Sequence, residues 1–154
     1  MTATARPHSF ARAFVAAFAV LLGAALVAAP ATSTAAPVAP QSATGTAVLA
    51  VATADAKSEL HKPVRLGAAK INASGSWAFV SATLQAPDGS RFSYAGTPFA
   101  EAAANGGKST MYAGLFRKRG QRWARVDSAV GPTDVAWTGW SEKYGAPSSI
   151  FALG

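Results

Sequence analysis

Apolar residues recur at spacings of three and four between positions 46 and 60. They are Val48, Val51, Ala52, Ala56 and Leu60. This spacing places them along one side of an α-helix, and Asp55 and Glu59 give the helix a polar side. Pro63 prevents the helix from continuing, because proline has no N–H to donate and its ring clashes with the preceding turn. The pattern predicts one amphipathic helix that ends near Leu60.

Strand-like segments follow in two pairs. Residues 64–71 and 77–85 flank a turn-like Asn-Ala-Ser-Gly-Ser, and side chains in 77–85 alternate between two faces, one of them clearly apolar. Residues 110–118 and 122–130 flank a turn centred on Gly120, where glycine accepts the positive φ of a tight hairpin. Each pair predicts a β-hairpin.

A short helix is predicted between the two hairpins. Thr97 and Pro98 precede residues 99–104 as a cap and a first-turn proline, and an Asn-Gly pair ends the segment.

A further helix is predicted over residues 135–144, where Trp137, Trp140 and Tyr144 recur at helical spacing behind Asp134 as an N-terminal acid. The full order is α-β-β-α-β-β-α. It favours an α+β fold, with a four-stranded antiparallel sheet made of two hairpins and the three helices packed on one face.

The first 35 residues have the layout of a bacterial signal peptide. Arg6 and Arg12 precede an unbroken apolar run over residues 14–27, and small residues follow it. Ala29-Pro30-Ala31 and Ser33-Thr34-Ala35 both satisfy the small-x-small rule for cleavage. The alternative is a retained membrane anchor, but the run is shorter than the roughly 20 residues that cross a bilayer. We therefore expect an exported protein, periplasmic or extracellular, with no stable membrane span after processing.

The segment that follows differs in composition from the rest of the chain. Residues 36–45 are rich in Ala, Pro, Ser and Thr and carry no charge, which is typical of a flexible spacer. The predicted organisation is thus a signal peptide over 1–35, a spacer over 36–45 and a single domain over 46–154.

The charge balance limits the class of partner. The 154 residues carry 14 basic and 7 acidic side chains, a net charge of +7, and no cysteine. Loss of Arg6 and Arg12 with the signal peptide leaves 12 basic against 7 acidic side chains, or +5. This balance favours an anionic envelope polymer or another envelope protein as the partner, whereas nucleic acid is disfavoured for an exported protein.

Five basic residues gather around the second hairpin. They are Arg117, Lys118, Arg119, Arg122 and Arg125. Arginine offers two-pronged hydrogen bonds to phosphate or carboxylate groups, so the hairpin is the candidate binding site. The alternative interpretation is a solvated hairpin end whose charges discourage aggregation.

Motifs for enzymatic chemistry are weak. Gly107-Lys108-Ser109-Thr110 resembles the end of a phosphate-binding loop, but Ala102 stands where that loop requires glycine, which argues against a nucleotide. His61 is the only histidine after processing, and with no cysteine present a zinc site or a hydrolytic triad lacks its partners. His61 is therefore interpreted as a surface or capping residue. No cofactor, metal or catalytic residue is assigned.

One alternative interpretation is that the protein is an enzyme. Asp127, Asp134 and Tyr112 are the candidates for a small hydrolase or lyase with a carboxylate-based cleft between sheet and helix. The simpler interpretation makes Asp134 a helix cap and Asp127 an ion-pair partner of Arg122 or Arg125. Trp137, Trp140 and Tyr144 similarly offer either a stacking platform for a ligand or part of the core, and the helical spacing favours the core.

Several segments together resemble a group of small exported bacterial proteins. They are Trp77-Ala78-Phe79-Val80, Gly120-x-Arg122-Trp123, Val130-Gly131-Pro132-Thr133-Asp134-Val135-x-Trp137, Tyr144-Gly145-Ala146-Pro147 and Phe151. The resemblance covers about residues 60–151. It implies a sheet-plus-helix domain similar to cystatin-like or NTF2-like folds, and it supplies no catalytic residues because no activity is assigned to that group.

These observations lead to one functional expectation and two alternatives. We expect a non-enzymatic, exported binding or accessory module that contacts an anionic or protein partner through the basic hairpin. The alternatives are the carboxylate-based hydrolase or lyase and a structural protein without a ligand.

Overall fold

The sheet is antiparallel, and its strands lie side by side in the order of the chain. A computed structural model describes residues 1–2 and 34–153. The chain divides into two compact units, residues 1–31 and 32–154, and every element given below belongs to the second. Apart from residues 1–2 and 34–35, the predicted signal peptide lies outside the described residues.

Five strands and three α-helices make up the described part of the chain. The strands are β1 (Ala36–Pro37), β2 (Arg65–Ser74), β3 (Trp77–Gln85), β4 (Met111–Arg119) and β5 (Arg122–Val130). The helices are α1 (Ala43–Leu60), α2 (Ala100–Ala104) and α3 (Trp140–Tyr144), followed by a 3₁₀ turn at Ser148–Phe151. The α+β class, the two hairpins and the antiparallel sheet are confirmed. The predicted number of four strands is wrong, because β1 adds a fifth.

The extra strand lies in the segment predicted as a spacer. Ala36 pairs with Ala73, Pro37 pairs with Asn72, and the N–H of Val38 donates to the next carbonyl of β2 at 2.8 Å. A proline without an N–H is compatible with a strand at the edge of a sheet. Two residues are too few to show an alternating pattern, so composition alone suggested a spacer.

Helix α1 also begins inside the predicted spacer, at Ala43. The Ser42 hydroxyl caps it by accepting the Gly45 N–H at 3.0 Å. Gly45 looks like a flexible-linker residue, but a Cβ there would lie 2.2 Å from the Ala39 carbonyl oxygen. Glycine is therefore required where the turn packs onto the first turn of the helix. The other end agrees with the prediction, since His61 is the exposed C-cap.

The two faces of the sheet are covered by different parts of the chain. On the α1 face, the alternate β3 residues Ala78, Val80, Ala82 and Leu84 pack in one cluster with the buried residues of α1. On the opposite face, which we call the C-terminal face, Trp77 and Phe79 pack with residues of the C-terminal segment. These include Trp140, Ala146 and Ile150. The expectation that all helices share one face is wrong, because β3 is apolar on both faces.

The C-terminal helix is shorter than predicted. It covers only Trp140–Tyr144, since Gly139 has φ +84°, a value incompatible with a continuing right-handed helix. Asp134 consequently does not cap it, and the carbonyl of Asp134 instead accepts the Ala136 N–H in a turn. The predicted role of Asp134 as a helix cap is wrong for this reason.

Candidate functional site

The end of the β4–β5 hairpin presents three arginines on one face. In the antiparallel register Arg119 lies opposite Arg122, and Arg117 lies opposite Ala124. Residues opposite one another, and residues two apart on a strand, point to the same side of a sheet. Arg117, Arg119 and Arg122 therefore share the C-terminal face, and all three are exposed.

Lys118 belongs to the other side of the same hairpin. It lies opposite Trp123 and is exposed, while the Trp123 ring is half-buried. We refer to Arg117, Lys118, Arg119 and Arg122 together as the basic tip. The sequence-predicted cluster is thus largely formed, but its charges are distributed over two faces.

Arg117 is held over an aromatic ring. Its guanidinium carbon lies 4.9 Å from the centroid of Trp77, a cation–π contact that fixes the side chain without neutralising its charge. Trp77 itself packs in the cluster on the C-terminal face. The basic tip is therefore anchored to the core through this ring.

No carboxylate neutralises the basic tip within the described residues. The ion pairs between described residues are formed by Arg125 and Lys143, and neither of these side chains belongs to the tip. The sequence explains this, because positions 34–54, 60–87 and 102–126 contain no Asp or Glu. Four positive charges with no acidic partner produce a local positive potential that attracts anions.

Arg125, the fifth residue of the predicted cluster, is not part of the tip. Its Nε lies 3.0 Å from Asp55 Oδ1 on α1, and its Nη1 lies 3.7 Å from Glu59. The Asp55 side chain is only 7% exposed, and its other oxygen accepts the Tyr112 hydroxyl at 2.9 Å. Burial, followed by the charge of Asp55, raises the pKa of Tyr112 far above its ordinary value. This buried network ties α1 to the sheet.

Sequence reasoning did not find Asp55 as part of this network. It was assigned to the polar side of α1 together with Glu59, yet it directly precedes Ala56 and follows Ala52 by three positions, both in the buried stripe. That adjacency was the available signal.

The three residues of the enzyme alternative do not converge on one site. The Tyr112 hydroxyl contacts α1 on one face of the sheet. Asp127 lies opposite Leu115 on the C-terminal face, where it accepts the Tyr144 hydroxyl at 2.5 Å and lies 3.5 Å from Lys143 Nζ. Its partners are therefore Tyr144 and Lys143 rather than Arg122 or Arg125. Asp134 is exposed in the loop after β5.

The aromatic residues of the C-terminal segment belong to the core, as the helical spacing favoured. Trp140 is buried, and Phe79 contacts the rings of Trp137, Trp140 and Phe151 with centroid distances of 5.3, 6.4 and 4.9 Å. The Tyr144 hydroxyl donates a hydrogen bond to Asp127. These side chains do not form an exposed stacking platform.

An open groove on the C-terminal face was not predicted. Its volume is about 730 Å³, and its apolar wall is formed by Met111, Val135, Trp137 and Leu153. Met111 is 37% and Val135 is 55% exposed, and no other large apolar residue of the described region except Met1 is as exposed. No periodic signal marks this groove, because its residues come from distant parts of the chain.

Within residues 1–2 and 34–153, no group of His, Asp or Glu side chains is arranged to hold a metal ion. No helix in the same residues has the length and apolarity needed to span a bilayer. No protein-family model, curated protein or solved structure matches this chain.

Proposed function

We propose that this protein is an exported, non-enzymatic module that binds an anionic envelope component through its basic tip. The observation that carries the proposal is the set of three exposed arginines on one face of a rigid hairpin, with no carboxylate partner among the described residues. Arginine pairs with phosphate and carboxylate in a planar, two-pronged geometry, so neighbouring arginines suit a polymer with repeated acidic groups.

The scaffold supports this role. The register between β4 and β5 extends to Arg119 and Arg122 at the very end of the hairpin, and β3 pairs with β4 as far as Arg117. A site on paired strands keeps the spacing of its charges, and a pre-ordered site loses less entropy on binding. The resemblance to small exported bacterial proteins and to cystatin-like or NTF2-like folds stays a prediction, and α1 packed on an antiparallel sheet is the arrangement which that resemblance implies.

The test uses immobilised polyphosphate and polyglutamate as probes. A triple variant, R117Q/R119Q/R122Q, removes the charges of the C-terminal face of the tip. Its matched control, K57Q/R65Q/R91Q, removes three exposed charges elsewhere and has the same net charge. We expect wild type and control to be retained at low salt and to elute as the salt concentration rises, because salt screens exposed charges.

The tip variant should pass through both columns without retention, and circular dichroism should show an unchanged fold. Elution of the tip variant and the control at the same salt concentration would refute the proposal, since retention would then reflect net charge alone.

A further inference from the structure

Strand β5 lies at the outer edge of the sheet. It covers nine residues, Arg122–Val130, and pairs with β4 on one side. No other strand of the described residues pairs with its outer side. Backbone N–H and C=O groups on such an edge can pair with a strand of another chain. The β5 edge is thus a surface to which a second copy of this chain can add, unless something blocks it.

The ladder between β4 and β5 shows which backbone groups point outward. The Gly131 N–H donates to the Met111 carbonyl at 2.7 Å, so the backbone of Gly131 faces β4. The direction alternates along an antiparallel strand, and every second residue back along β5 therefore also faces β4. Ser128 and Val130 lie between these residues, so their N–H and C=O groups point away from the sheet.

Side chains of the same domain already bind these outward groups. Asp127 Oδ1 accepts the Ser128 N–H at 2.8 Å, and Lys108 Nζ donates to the Val130 carbonyl at 2.8 Å. A carboxylate oxygen occupies the place of a neighbouring strand's carbonyl, and an ammonium group occupies the place of its N–H. We call Asp127 and Lys108 the edge caps. Backbone groups that are bonded in this way gain less from another chain, because the existing bonds must be broken first.

Both edge caps are held by further contacts. The second carboxylate oxygen of Asp127 accepts the Tyr144 hydroxyl at 2.5 Å, and Lys143 Nζ lies 3.5 Å from it. Lys108 Nζ lies 4.2 Å from the centroid of the Phe99 ring, a cation–π contact. The edge caps are therefore fixed by packing and hydrogen bonds on both sides of the edge.

A bulge interrupts the same edge. Leu115 pairs with Asp127 and Phe116 pairs with Arg125, so Val126 is an additional residue without an opposite partner on β4. A bulge bends and twists its strand, which disfavours a long regular ladder with another chain. The β5 edge is thus irregular in its middle and capped in its C-terminal half.

The opposite edge of the sheet is interrupted as well. Strand β1 covers residues 72–73 of β2, and the register between β2 and β3 shifts between Gly67 and Lys70. Within this bulge Ala68 has φ +46°, a left-handed conformation that residues other than glycine rarely adopt. Irregularity is therefore a property of both edges, and β5 is the longer one.

We propose that the edge caps close the β5 edge of the sheet against pairing with a second copy of this chain. The inference goes beyond the proposed function and does not rest on it, because neither edge cap belongs to the basic tip. It also implies that a partner contacts the tip or a face of the sheet rather than adding a strand to β5.

The experiment measures self-association of the full chain by sedimentation velocity over a range of protein concentrations. The variant D127A/K108M removes both edge caps and keeps the net charge, because it removes one negative and one positive charge. Each backbone group that it frees can form an inter-strand hydrogen bond, which contributes about fivefold to an association constant. We expect the association constant to rise at least about tenfold relative to wild type.

Two further variants identify the surface that associates. Tyr144→Phe is the matched control, since it removes a partner of Asp127 but leaves the bond from the Ser128 N–H to Asp127. Its association constant should equal that of wild type. D127A/K108M/S128P removes the outward N–H itself, and proline is tolerated at the edge of a sheet. This variant should return to the association constant of wild type.

Hydrogen exchange at the Ser128 amide is an independent readout that needs no proline variant. In dilute D127A/K108M this amide should exchange faster than in wild type, and it should become protected again as the protein concentration rises.

Three results would overturn the inference. One is an unchanged association constant in D127A/K108M. Another is equal association of Tyr144→Phe and D127A/K108M, because the contact would then involve the C-terminal face. The third is a Ser128 amide that stays unprotected in the associated variant, which would place the contact on another surface. Loss of retention on polyphosphate would refute the proposed function and leave this inference intact.

Discussion

Replacing Asp55 with alanine tests whether the buried network ties α1 to the sheet. The substitution removes the carboxylate that accepts the hydrogen bond of the buried Tyr112 hydroxyl, and this loss costs about 1–3 kcal/mol. It also removes an ion-pair partner from Arg125, but that side chain is 45% exposed, so water compensates and the loss is about 0–1 kcal/mol. Alanine recovers about 0.5 kcal/mol through helix propensity. The lost hydrogen bond of Tyr112 dominates, and the expected net loss is about 2 kcal/mol.

The assay is urea unfolding of the full chain, followed by circular dichroism and tryptophan fluorescence. With a slope of about 1.5 kcal/mol per M, a loss of 2 kcal/mol lowers the midpoint by about 1.3 M. Glu59→Ala is the matched control, because Glu59 is 43% exposed and lies 3.7 Å from Arg125. Its expected change is below about 0.5 kcal/mol.

A double-mutant cycle identifies the cause. Tyr112→Phe removes the hydroxyl and keeps the ring, so the combination of Asp55→Ala with Tyr112→Phe should destabilise the protein by at least about 1 kcal/mol less than the sum of the single changes. The reasoning fails if Asp55→Ala behaves like Glu59→Ala, or if the two substitutions are additive.

Three further predictions concern local packing and pH. Gly131→Ala should destabilise the protein strongly, because φ is +65° and a Cβ would lie 2.2 Å from the Tyr94 hydroxyl. Gly120→Ala should lower the free energy of unfolding by only about 1 kcal/mol, because φ is +58° but a Cβ there would meet open space. Thermal melts of the two variants compare their stabilities. Gly45→Ala should lower the midpoint of thermal unfolding and fray the start of α1, since its Cβ would meet backbone at 2.2 Å, and unchanged helical circular dichroism with an unchanged midpoint would contradict this. Burial raises the pKa of Tyr94 to about 12, so the folded state retains the phenol proton more strongly than the unfolded chain, whose tyrosines titrate near pH 10. Stability from this group is therefore complete below pH 10 and is lost as pH rises to about 12; Tyr94→Phe should show a weaker decline of the unfolding free energy over this interval.

The sequence patterns predicted the long elements well and the short ones poorly. Strands β3 and β5 begin and end where alternation and turn residues placed them, and α1 buries four of the five residues of the predicted apolar stripe. These elements carry their signal within their own residues. Strand β1 has only two residues, so its existence depends on the pairing with β2, which local composition does not reveal.

The charged residues of the candidate site could be predicted from the sequence, but their contacts with other parts of the chain could not. The basic residues and the turn at Gly120 indicate an exposed hairpin, and register then decides which arginines share a face. The bond between Arg125 and Asp55 joins residues 70 positions apart and depends on how α1 crosses the sheet. The same applies to the C-terminal helix, where Gly139 and the contacts of Phe79 with Trp137 and Trp140 outweigh a regular helical spacing.

The order of the sheet, β1 to β5 along the chain, has a consequence for how fast the protein reaches its folded state. Every strand pairs with its neighbour in sequence; α1 intervenes between β1 and β2, and α2 with its flanking loops intervenes between β3 and β4. Contacts between nearby segments close small loops, so such a topology folds faster than one that depends on distant pairings. Without cysteine, folding also needs no oxidation step. A chain that is exported as proposed can complete its hairpins one after another as they emerge, with little time exposed to proteolysis or aggregation.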